Sequence, residues 1–330
     1  NTDMIKKRYD LVVVGSGAAG IIAAIIAARE GKSVLLLEKL SKIASKLKAT
    51  GGGRCNLTNT LSNEEFMAKF GRDGRFMQDA LKEFDHRALV AFFGELGVET
   101  HAPDGFRVFP TSHSSATIIS ALEKEMRRVG VETVCQQRVQ RLLLIANKIT
   151  GVKTQDHIYD ADNVIVATGG LGYPVLGAEG DGYNLASELG HKITDISPAM
   201  MPLRVKEEWV AECRADTIAK VELRVDLKKH KKLRASGDLI FTKSGIRGPV
   251  VLDFAREVTP LLKKYGEVPL LLNLTKGMNE EQITNHLKNA ALKNPDANVV
   301  QLTATLLPEA LSLELCKLAG VDLNATLSKQ

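Results

Sequence analysis

The sequence predicts an α/β fold: a mostly parallel sheet covered by helices, then a β-rich, barrel-like insertion, then a small helical subdomain. Three observations predict it. Within residues 9–39, an apolar strand, a glycine turn, an apolar helix and a second apolar strand follow one another. Short strands with polar turns fill residues 193–273, and helix-capping patterns mark residues 274–330. We therefore predict domains at 1–192, 193–273 and 274–330.

The composition is that of an ordinary globular protein. Of the 330 residues, 44% are hydrophobic, 44 are Lys or Arg and 39 are Asp or Glu, which excludes a disordered chain or an acidic tail protein. The 4 cysteines are far apart and form no CxxC pair, so we predict no metal site and a reducing, cytoplasmic location. A net charge of +5 suits an anionic ligand but does not by itself indicate a nucleic-acid partner.

The glycine turn GSGAAG at 15–20 predicts a phosphate-binding βα unit. We expect Gly15 to allow the tight turn after the strand, Gly17 to let the backbone approach a pyrophosphate, and Gly20 to let the helix pack on the sheet. The helix N-terminus, with Ser16, Ala18 and Ala19, offers free N–H groups to the phosphates. Because glycines interrupt the uncharged run at 11–28, we predict no membrane span there.

An acidic residue ends the second strand of this Rossmann-like unit. Glu38 lies 23 residues after Gly15, where such folds place the acceptor for an adenosine ribose. An acid at this position disfavours a 2′-phosphate. The bound dinucleotide is therefore FAD or NAD rather than NADP.

Two further segments are predicted to approach the dinucleotide. The loop at 40–59 combines three consecutive glycines with Lys46, Lys48, Arg54 and Asn56, partners suited to a flavin ring and its phosphate chain. A solvated surface loop is the alternative. The second segment, Ala167–Gly170, follows an apolar strand, and we expect it at the carboxyl edge of the sheet, where open α/β folds bind ligands.

Several blocks of the sequence resemble a known family. GSGAAG, Glu38-Lys39, ATGGGRCNLTN at 49–59, FRVFPTSHSSATII at 106–119 and the ATGG…GDGY block within 164–191 are similar to bacterial FAD-dependent oxidoreductases of the BaiN-like, aminoacetone-oxidase-like family. The resemblance spans nearly the whole chain. It implies a glutathione-reductase-like FAD domain, FAD as the cofactor, and contact between the backbone of Val139 and the adenine.

Taken together, the motifs and the resemblance give one set of predicted cofactor-binding residues: Gly15, Ser16, Gly17, Ala18, Ala19, Gly20, Glu38, Lys39, Lys46, Thr50, Gly52, Gly53, Arg54, Cys55, Asn56, Val139, Ala167, Thr168, Gly169 and Gly170. Chains of the family return to the FAD domain after their helical part. Nothing similar follows Gly320, so the resemblance leaves two interpretations: this return segment is missing from the sequence, or another segment takes its place.

The second half of the chain carries a lysine-rich turn, LKKHKKLRASGD at 227–238, between two predicted strands. A nucleic-acid or membrane patch is one interpretation. The cluster is short and has no interleaved aromatic residue, so we predict a solvated hairpin tip and no nucleic-acid partner. Asn279 with Gln282 predicts a capping box at the start of a helix that Pro295 stops.

The predicted function is that of an FAD-dependent oxidoreductase that transfers hydride at flavin N5 between a reduced donor and a small organic substrate or oxygen. NAD(P)H is a candidate donor, although no second glycine motif provides a nicotinamide domain. Arg54, Cys55 and His113 are candidate catalytic residues, and His101 is a further candidate acid. The alternatives are a non-catalytic flavin-bound scaffold, an amine oxidase using oxygen, and an NAD-binding dehydrogenase.

Overall fold

The computed structural model describes residues 7–326, apart from the side chain of Arg72. The chain divides into two compact units, Asn1–Ile193 and Thr194–Gln330. The outer ends of the predicted domains, residues 1–6 and 327–330, lie outside the described residues. The division into three domains stays a prediction.

The first unit combines strands and helices in mixed order. Its strands are β1 (Arg8–Val14), β2 (Val34–Leu37), β3 (Thr58–Asn59), β4 (Thr100–His101), β5 (Arg107–Pro110), β6 (Glu132–Val134), β7 (Arg141–Ile145), β8 (Lys148–Lys153) and β9 (Ile158–Val166). Its helices are α1 (Ala18–Arg29), α2 (Ser45–Ala49), α3 (Asn63–Ala68), α4 (Gln78–Glu83), α5 (His86–Glu95), α6 (Ser115–Val129) and α7 (Asp181–Glu188).

The main sheet of this unit has the order β6-β2-β1-β9-β8-β7. The strands β6, β2, β1 and β9 are parallel, so their carboxyl ends meet at one edge, whereas β7 and β8 form an antiparallel ribbon beside them. A small antiparallel sheet, β3-β5-β4, lies apart from the main one. The predicted βαβ unit is present as β1, α1 and β2.

Local sequence explains the helices that frame the sheet. In α1, Ile21, Ala24, Ile25 and Ala28 recur at helical spacing and are buried in the core cluster that includes Val13 and Leu36. In α6, the Ser114 side chain accepts a hydrogen bond from Ala116 N–H, and Gly130 ends the helix in the left-handed conformation. These signals place both helices against the sheet.

The second unit is built on one antiparallel sheet followed by helices. Its strands are β10 (Leu203–Arg204), β11 (Thr217–Val225), β12 (Arg234–Thr242), β13 (Gly245–Arg247) and β14 (Leu270–Asn273), in the order β10-β13-β12-β11-β14. Its helices are α8 (Pro249–Tyr265), α9 (Glu280–Lys293), α10 (Val299–Thr303) and α11 (Glu309–Leu318). The predicted capping box of Asn279 and Gln282 opens α9.

The sheet differs from the predicted barrel-like insertion in two ways. Within the described residues its edge strands β10 and β14 do not pair with each other, so it is open. The sequence analysis also missed α8, which buries Val251, Phe254 and Val258 in one core with the sheet residues Leu223 and Leu239. Because α8 covers the apolar face, the sheet has no need to close on itself.

Candidate functional site

A cavity of about 370 Å³ lies at the carboxyl edge of the parallel strands β1, β2 and β9. This is the edge at which open α/β sheets bind ligands. The cavity brings together thirteen of the predicted site residues, which are Gly15, Ser16, Gly17, Ala18, Ala19, Glu38, Lys39, Lys46, Thr50, Val139, Ala167, Thr168 and Gly169. They come from five separate segments of the sequence. Each motif predicts only a few of these residues, and the fold brings them together at one cavity.

The three glycines of the first turn have different surroundings. A Cβ atom on Gly15, whose φ is +103°, would lie 2.5 Å from the carbonyl oxygen of Ala167, and one on Gly20 would lie 1.9 Å from that of Gly15. A Cβ on Gly17 would meet nothing within 4 Å. Packing therefore requires Gly15 and Gly20, whereas Gly17 faces open space beside the cavity.

The N-terminus of α1 points unused donors at this space. Ile21 donates the first helical hydrogen bond, to the Gly17 carbonyl at 3.0 Å, so the N–H groups of Ala18 to Gly20 precede the helical ladder. No acidic side chain occupies the first turn of α1. Open space at Gly17 and free N–H groups at a positive helix end fit a dinucleotide diphosphate.

Glu38 has a structural role that the sequence analysis missed. Its carboxylate is 9% exposed. Oε2 accepts hydrogen bonds from the backbone N–H of Ser16 at 3.0 Å and from the Ser16 hydroxyl, while Oε1 accepts from Leu40 N–H at 2.9 Å. A carboxylate has about four acceptor positions, so one remains for a ribose hydroxyl. Glu38 therefore braces the glycine turn and also lines the cavity.

Four charged side chains form a network at the cavity, joining β2 to the start of α7. Lys39 Nζ lies 2.7 Å from Asp181 and 2.8 Å from Glu179, and Arg138 lies 2.5 Å from Asp181 and 3.1 Å from Glu179. Burial opposes ionisation of Asp181, but the hydrogen bonds from Lys39 and Arg138 outweigh it and lower its pKa. The network fixes the 177–181 segment against Lys39, an arrangement between distant residues that no motif indicated.

The loop after β2 approaches the cavity from the other side. Lys46 Nζ donates to the Gly172 carbonyl at 3.0 Å and lies 6.0 Å from the centroid of the Tyr173 ring. The following turn, Thr50–Gly53, contains left-handed φ values of +62°, +67° and +86° at its three glycines. This conformation explains why three glycines follow one another here.

The remaining predicted site residues lie outside the cavity lining. They are Gly20, Gly52, Gly53, Arg54, Cys55, Asn56 and Gly170. Gly20 packs in the first turn of α1, and a Cβ on Gly170 would lie 3.3 Å from the hydroxyl of Tyr183. Their assignment to cofactor binding stays a prediction.

Two of the candidate catalytic residues, Arg54 and His113, lie next to the ring of Phe109. The Arg54 guanidinium lies 5.3 Å from the Phe109 ring centroid, and Phe109 lies 6.0 Å from the His113 ring. His113 contacts His101 edge to face, with centroids 4.6 Å apart. Within residues 7–326, the Nε2 atom of His101 is buried without a hydrogen-bond partner. This arrangement places a cation and two imidazoles together next to the 50–53 turn.

Cys55, the third candidate, is fully buried. Burial raises the pKa of its thiol to about 11, so the thiol is protonated at neutral pH. All four cysteines are free. A protonated, inaccessible thiol is a poor nucleophile, which favours a packing role over a redox role.

The described part of the chain contains neither a cluster of metal ligands nor a membrane-spanning helix. Among residues 7–326, no group of three or more His, Cys, Asp or Glu side chains could hold a metal ion. No helix in that range is both long enough and apolar enough to cross a membrane.

Comparison with known proteins gives the family. The model of the HI0933-like protein Rossmann domain matches residues 9–329. A 3-dehydro-bile acid delta(4,6)-reductase from Clostridium scindens is 30% identical over 94% of this chain and 76% of its own length. A ribosomal RNA dihydrouridine synthase from Escherichia coli is 26% identical over 96% of this chain and 75% of its own length. The chain thus spans about three quarters of the length of both relatives.

Among solved structures, a 3-ketosteroid-delta4-(5alpha)-dehydrogenase from Rhodococcus jostii RHA1 matches 66% of this chain and 61% of its own, with a TM-score of 0.46 and 20% identity. The family match and the 30% identical reductase confirm the resemblance drawn from the sequence motifs. FAD is therefore the cofactor, and the site is that of an enzyme. The chain belongs to the HI0933-like family of FAD-dependent oxidoreductases.

Proposed function

We propose that this flavoenzyme works as a reductase, adding two hydrogens to a carbon–carbon double bond conjugated to a carbonyl. The observation that carries the redox assignment is the cavity at the end of β1, where open space at Gly17 faces the N-terminus of α1. The direction of the reaction is supported by the printed names of the two relatives, a delta(4,6)-reductase and a dihydrouridine synthase. Both names denote saturation of a ring double bond.

When bound, FAD supplies hydride transfer at N5. We assign the chain's own residues the following tasks. The N–H groups at the start of α1 hold the diphosphate, and the free acceptor position of Glu38, with the Val139 backbone, holds the adenosine. The turn Thr50–Gly53, with its N–H dipoles and the Arg54 guanidinium, offsets negative charge on the ring system.

A reductase also has to deliver a proton to the second carbon of the double bond. We assign this proton to a ring nitrogen of His113. Its support is the contact with His101, whose Nε2 is buried without a partner among the described residues and can stabilise a second proton or a bound water.

We propose NADH or NADPH as the source of the hydride, and a reducing, cytoplasmic compartment as the place of action. Four free cysteines, none in a disulfide, support that compartment. The test is anaerobic: purified holoenzyme is mixed with each nicotinamide and flavin bleaching is followed. Bleaching by one of them, followed by reoxidation faster with an enone than with oxygen, is the expected result. Bleaching by an amine instead, with rapid reoxidation by oxygen, would replace the proposal with an amine oxidase.

A second candidate substrate is a uridine in RNA. The specific observation that favours it is the match to the ribosomal RNA dihydrouridine synthase over 96% of this chain. Incubation of the holoenzyme and NADPH with ribosomal RNA, followed by nucleoside mass spectrometry, tests it. A dihydrouridine that depends on the enzyme supports this candidate. Reduction of enones without any dihydrouridine would leave the small-molecule reductase.

A further inference from the structure

The hairpin between β11 and β12 carries a dense cluster of positive charge. Residues 224–234 contain six basic residues and one acidic residue, so their net charge equals the +5 of the whole chain. All six basic side chains are exposed. We call this segment of β11, the tip and the start of β12 the basic hairpin. Its basic residues are Arg224, Lys228, Lys229, Lys231, Lys232 and Arg234.

Two of these cations lie directly opposite each other. Arg224 and Arg234 are cross-strand partners in the β11–β12 ladder, and like charges in such positions destabilise a sheet. The ion pairs that the structure describes in this unit involve other residues, among them Lys263 with Asp195. Arg224 and Arg234 both line a depression on the sheet, whose lining also contains the acidic Glu222. An anion bound there would remove the repulsion.

The tip between the strands is ordered by its own backbone. His230 N–H donates to the Leu227 carbonyl at 2.7 Å, Leu233 N–H to the His230 carbonyl at 2.9 Å, and Val225 N–H to the Leu233 carbonyl at 3.0 Å. The lysines on either side of His230 are therefore held on a fixed turn rather than on a flexible tail. Binding a ligand costs less ordering entropy from such a turn.

The fold also places an aromatic residue beside the tip. Tyr265, the last residue of α8, is 42% exposed, and its ring lies 6.0 Å from the His230 ring, with the two side chains 3.4 Å apart at Nε2 and Oη. Lys264 Nζ lies 5.1 Å from the centroid of the same ring. The prediction of a plain solvated hairpin rests on two points, the shortness of the cluster and its lack of an interleaved aromatic residue. Tyr265, which is distant in sequence, removes the second point.

We propose that the basic hairpin and Tyr265 bind single-stranded RNA. Proteins that bind single-stranded nucleic acids combine two features. One is a row of cations along the phosphate backbone, and the other is an exposed aromatic ring on which a base can stack. The choice of RNA over DNA rests on the proposed function, in which a uridine in RNA is the second candidate substrate. The surface itself supplies only the positive charge and the aromatic ring.

The test measures fluorescence anisotropy of a labelled uridine-rich RNA with the full-length holoenzyme. The variant K228Q/K229Q/K231Q/K232Q removes the charge of the tip. Its matched control, K82Q/K148Q/K288Q/K293Q, removes the same charge from exposed lysines elsewhere. We expect the hairpin variant to bind about tenfold more weakly at physiological salt, and the slope of log Kd against log salt to fall by about 2–3, while the control binds as the wild type does. Equal weakening by both variants would overturn the proposal.

Further measurements test whether a base stacks on Tyr265 and whether the ligand is RNA, DNA or a membrane surface. Tyr265→Ala is expected to weaken binding about tenfold, while Tyr265→Phe keeps the ring and the affinity. Equal affinity of these two variants would remove Tyr265 from the site. Binding to vesicles of phosphatidylserine tighter than to RNA, or equal binding to the same sequence as DNA, would overturn the assignment to RNA. Flavin bleaching by NAD(P)H is measured on every variant, and its failure in the wild type concerns the proposed function alone.

Discussion

Glu38 and Ser16 join the end of β2 to the turn after β1 through the 3.0 Å hydrogen bond from Ser16 N–H to Oε2 of Glu38. A second bond comes from the Ser16 hydroxyl to the same oxygen. The acidic residue of the dinucleotide motif is therefore part of the turn itself. Its effect on cofactor affinity and its effect on stability are separable by experiment.

The first prediction concerns Glu38→Ala. Removing this carboxylate leaves the N–H groups of Ser16 and Leu40 without their acceptor, and each such loss costs about 1–3 kcal/mol when it is buried. We expect a lower free energy of unfolding without FAD, in addition to weaker FAD binding. Urea denaturation of the cofactor-free protein and fluorescence titration with FAD measure the two effects. Ser16→Ala is the comparison variant, since it keeps both N–H bonds and loses only the hydroxyl bond to the carboxylate, so its loss should be smaller than that of Glu38→Ala, at about 1.5–3 kcal/mol. Unchanged stability of Glu38→Ala would restrict the residue to ribose binding.

The second prediction separates Gly17 from Gly20. In Gly17→Ala, the new Cβ meets no atom within 4 Å and the φ of −74° suits alanine, so we expect stability without FAD to stay within about 1 kcal/mol. FAD affinity should fall at least about tenfold, because the methyl group occupies the diphosphate position. In Gly20→Ala, the Cβ would lie 1.9 Å from a carbonyl oxygen, and the free energy of unfolding should fall by about 1–3 kcal/mol or more. Wild-type FAD affinity in Gly17→Ala would contradict the assigned diphosphate position.

Sequence reasoning found the parts of this fold that short-range patterns determine. The glycine turn of the β1–α1–β2 unit and the capping box at Asn279 depend on residues within a few positions of each other. Helix α8 was missed because Gly248 precedes it, Pro249 is its first residue and Pro260 lies inside it, and Gly and Pro are typical of turns and helix breaks. Its apolar face, buried against the sheet, outweighs those signals.

In the candidate site, too, only features that depend on short-range sequence patterns were predictable. The glycine motif and Glu38 were predictable because their spacing follows from one βαβ unit. The contact of Lys39 with Asp181 joins residues 142 positions apart, and that of His230 with Tyr265 joins two different elements. Neither can be obtained from periodicity or spacing, because both depend on which strands are neighbours in the folded sheet.

The third prediction concerns Cys55. Since burial raises its thiol pKa to about 11, we expect it to resist alkylation in the folded protein at neutral pH and to react once the chain is unfolded. Peptide mass spectrometry after alkylation measures both states. Cys55→Ser should keep the rate of flavin reduction by NAD(P)H within about twofold, because no thiolate takes part. Rapid labelling of the native protein, or a large loss of that rate at unchanged FAD content, would return Cys55 to the catalytic candidates.

The fourth prediction concerns acid stability and Glu125 on α6. This carboxylate is 5% exposed and receives hydrogen bonds from Arg128 and Arg29, the second of which lies on α1. The bond from Arg128 is the largest cause that holds its pKa at about 2, below the ordinary 4.5, although burial opposes it. Because the folded pKa is the lower one, the stabilisation is fully present above pH 4.5 and is lost as the pH falls towards 2.

Glu125→Gln should therefore lower the free energy of unfolding by about 1–2 kcal/mol at neutral pH, and the difference from the wild type should shrink as the pH falls below 4.5. Chemical denaturation at several pH values between neutrality and about pH 3 measures this. The matched control is Glu95→Gln: Glu95 also contacts Arg29, but at 3.6 Å and with 66% of its side chain exposed, so its removal should change stability by less than about 0.5 kcal/mol. A difference for Glu125→Gln that stays constant across this pH range would show that packing between α1 and α6, rather than the ionised carboxylate, accounts for the stabilisation.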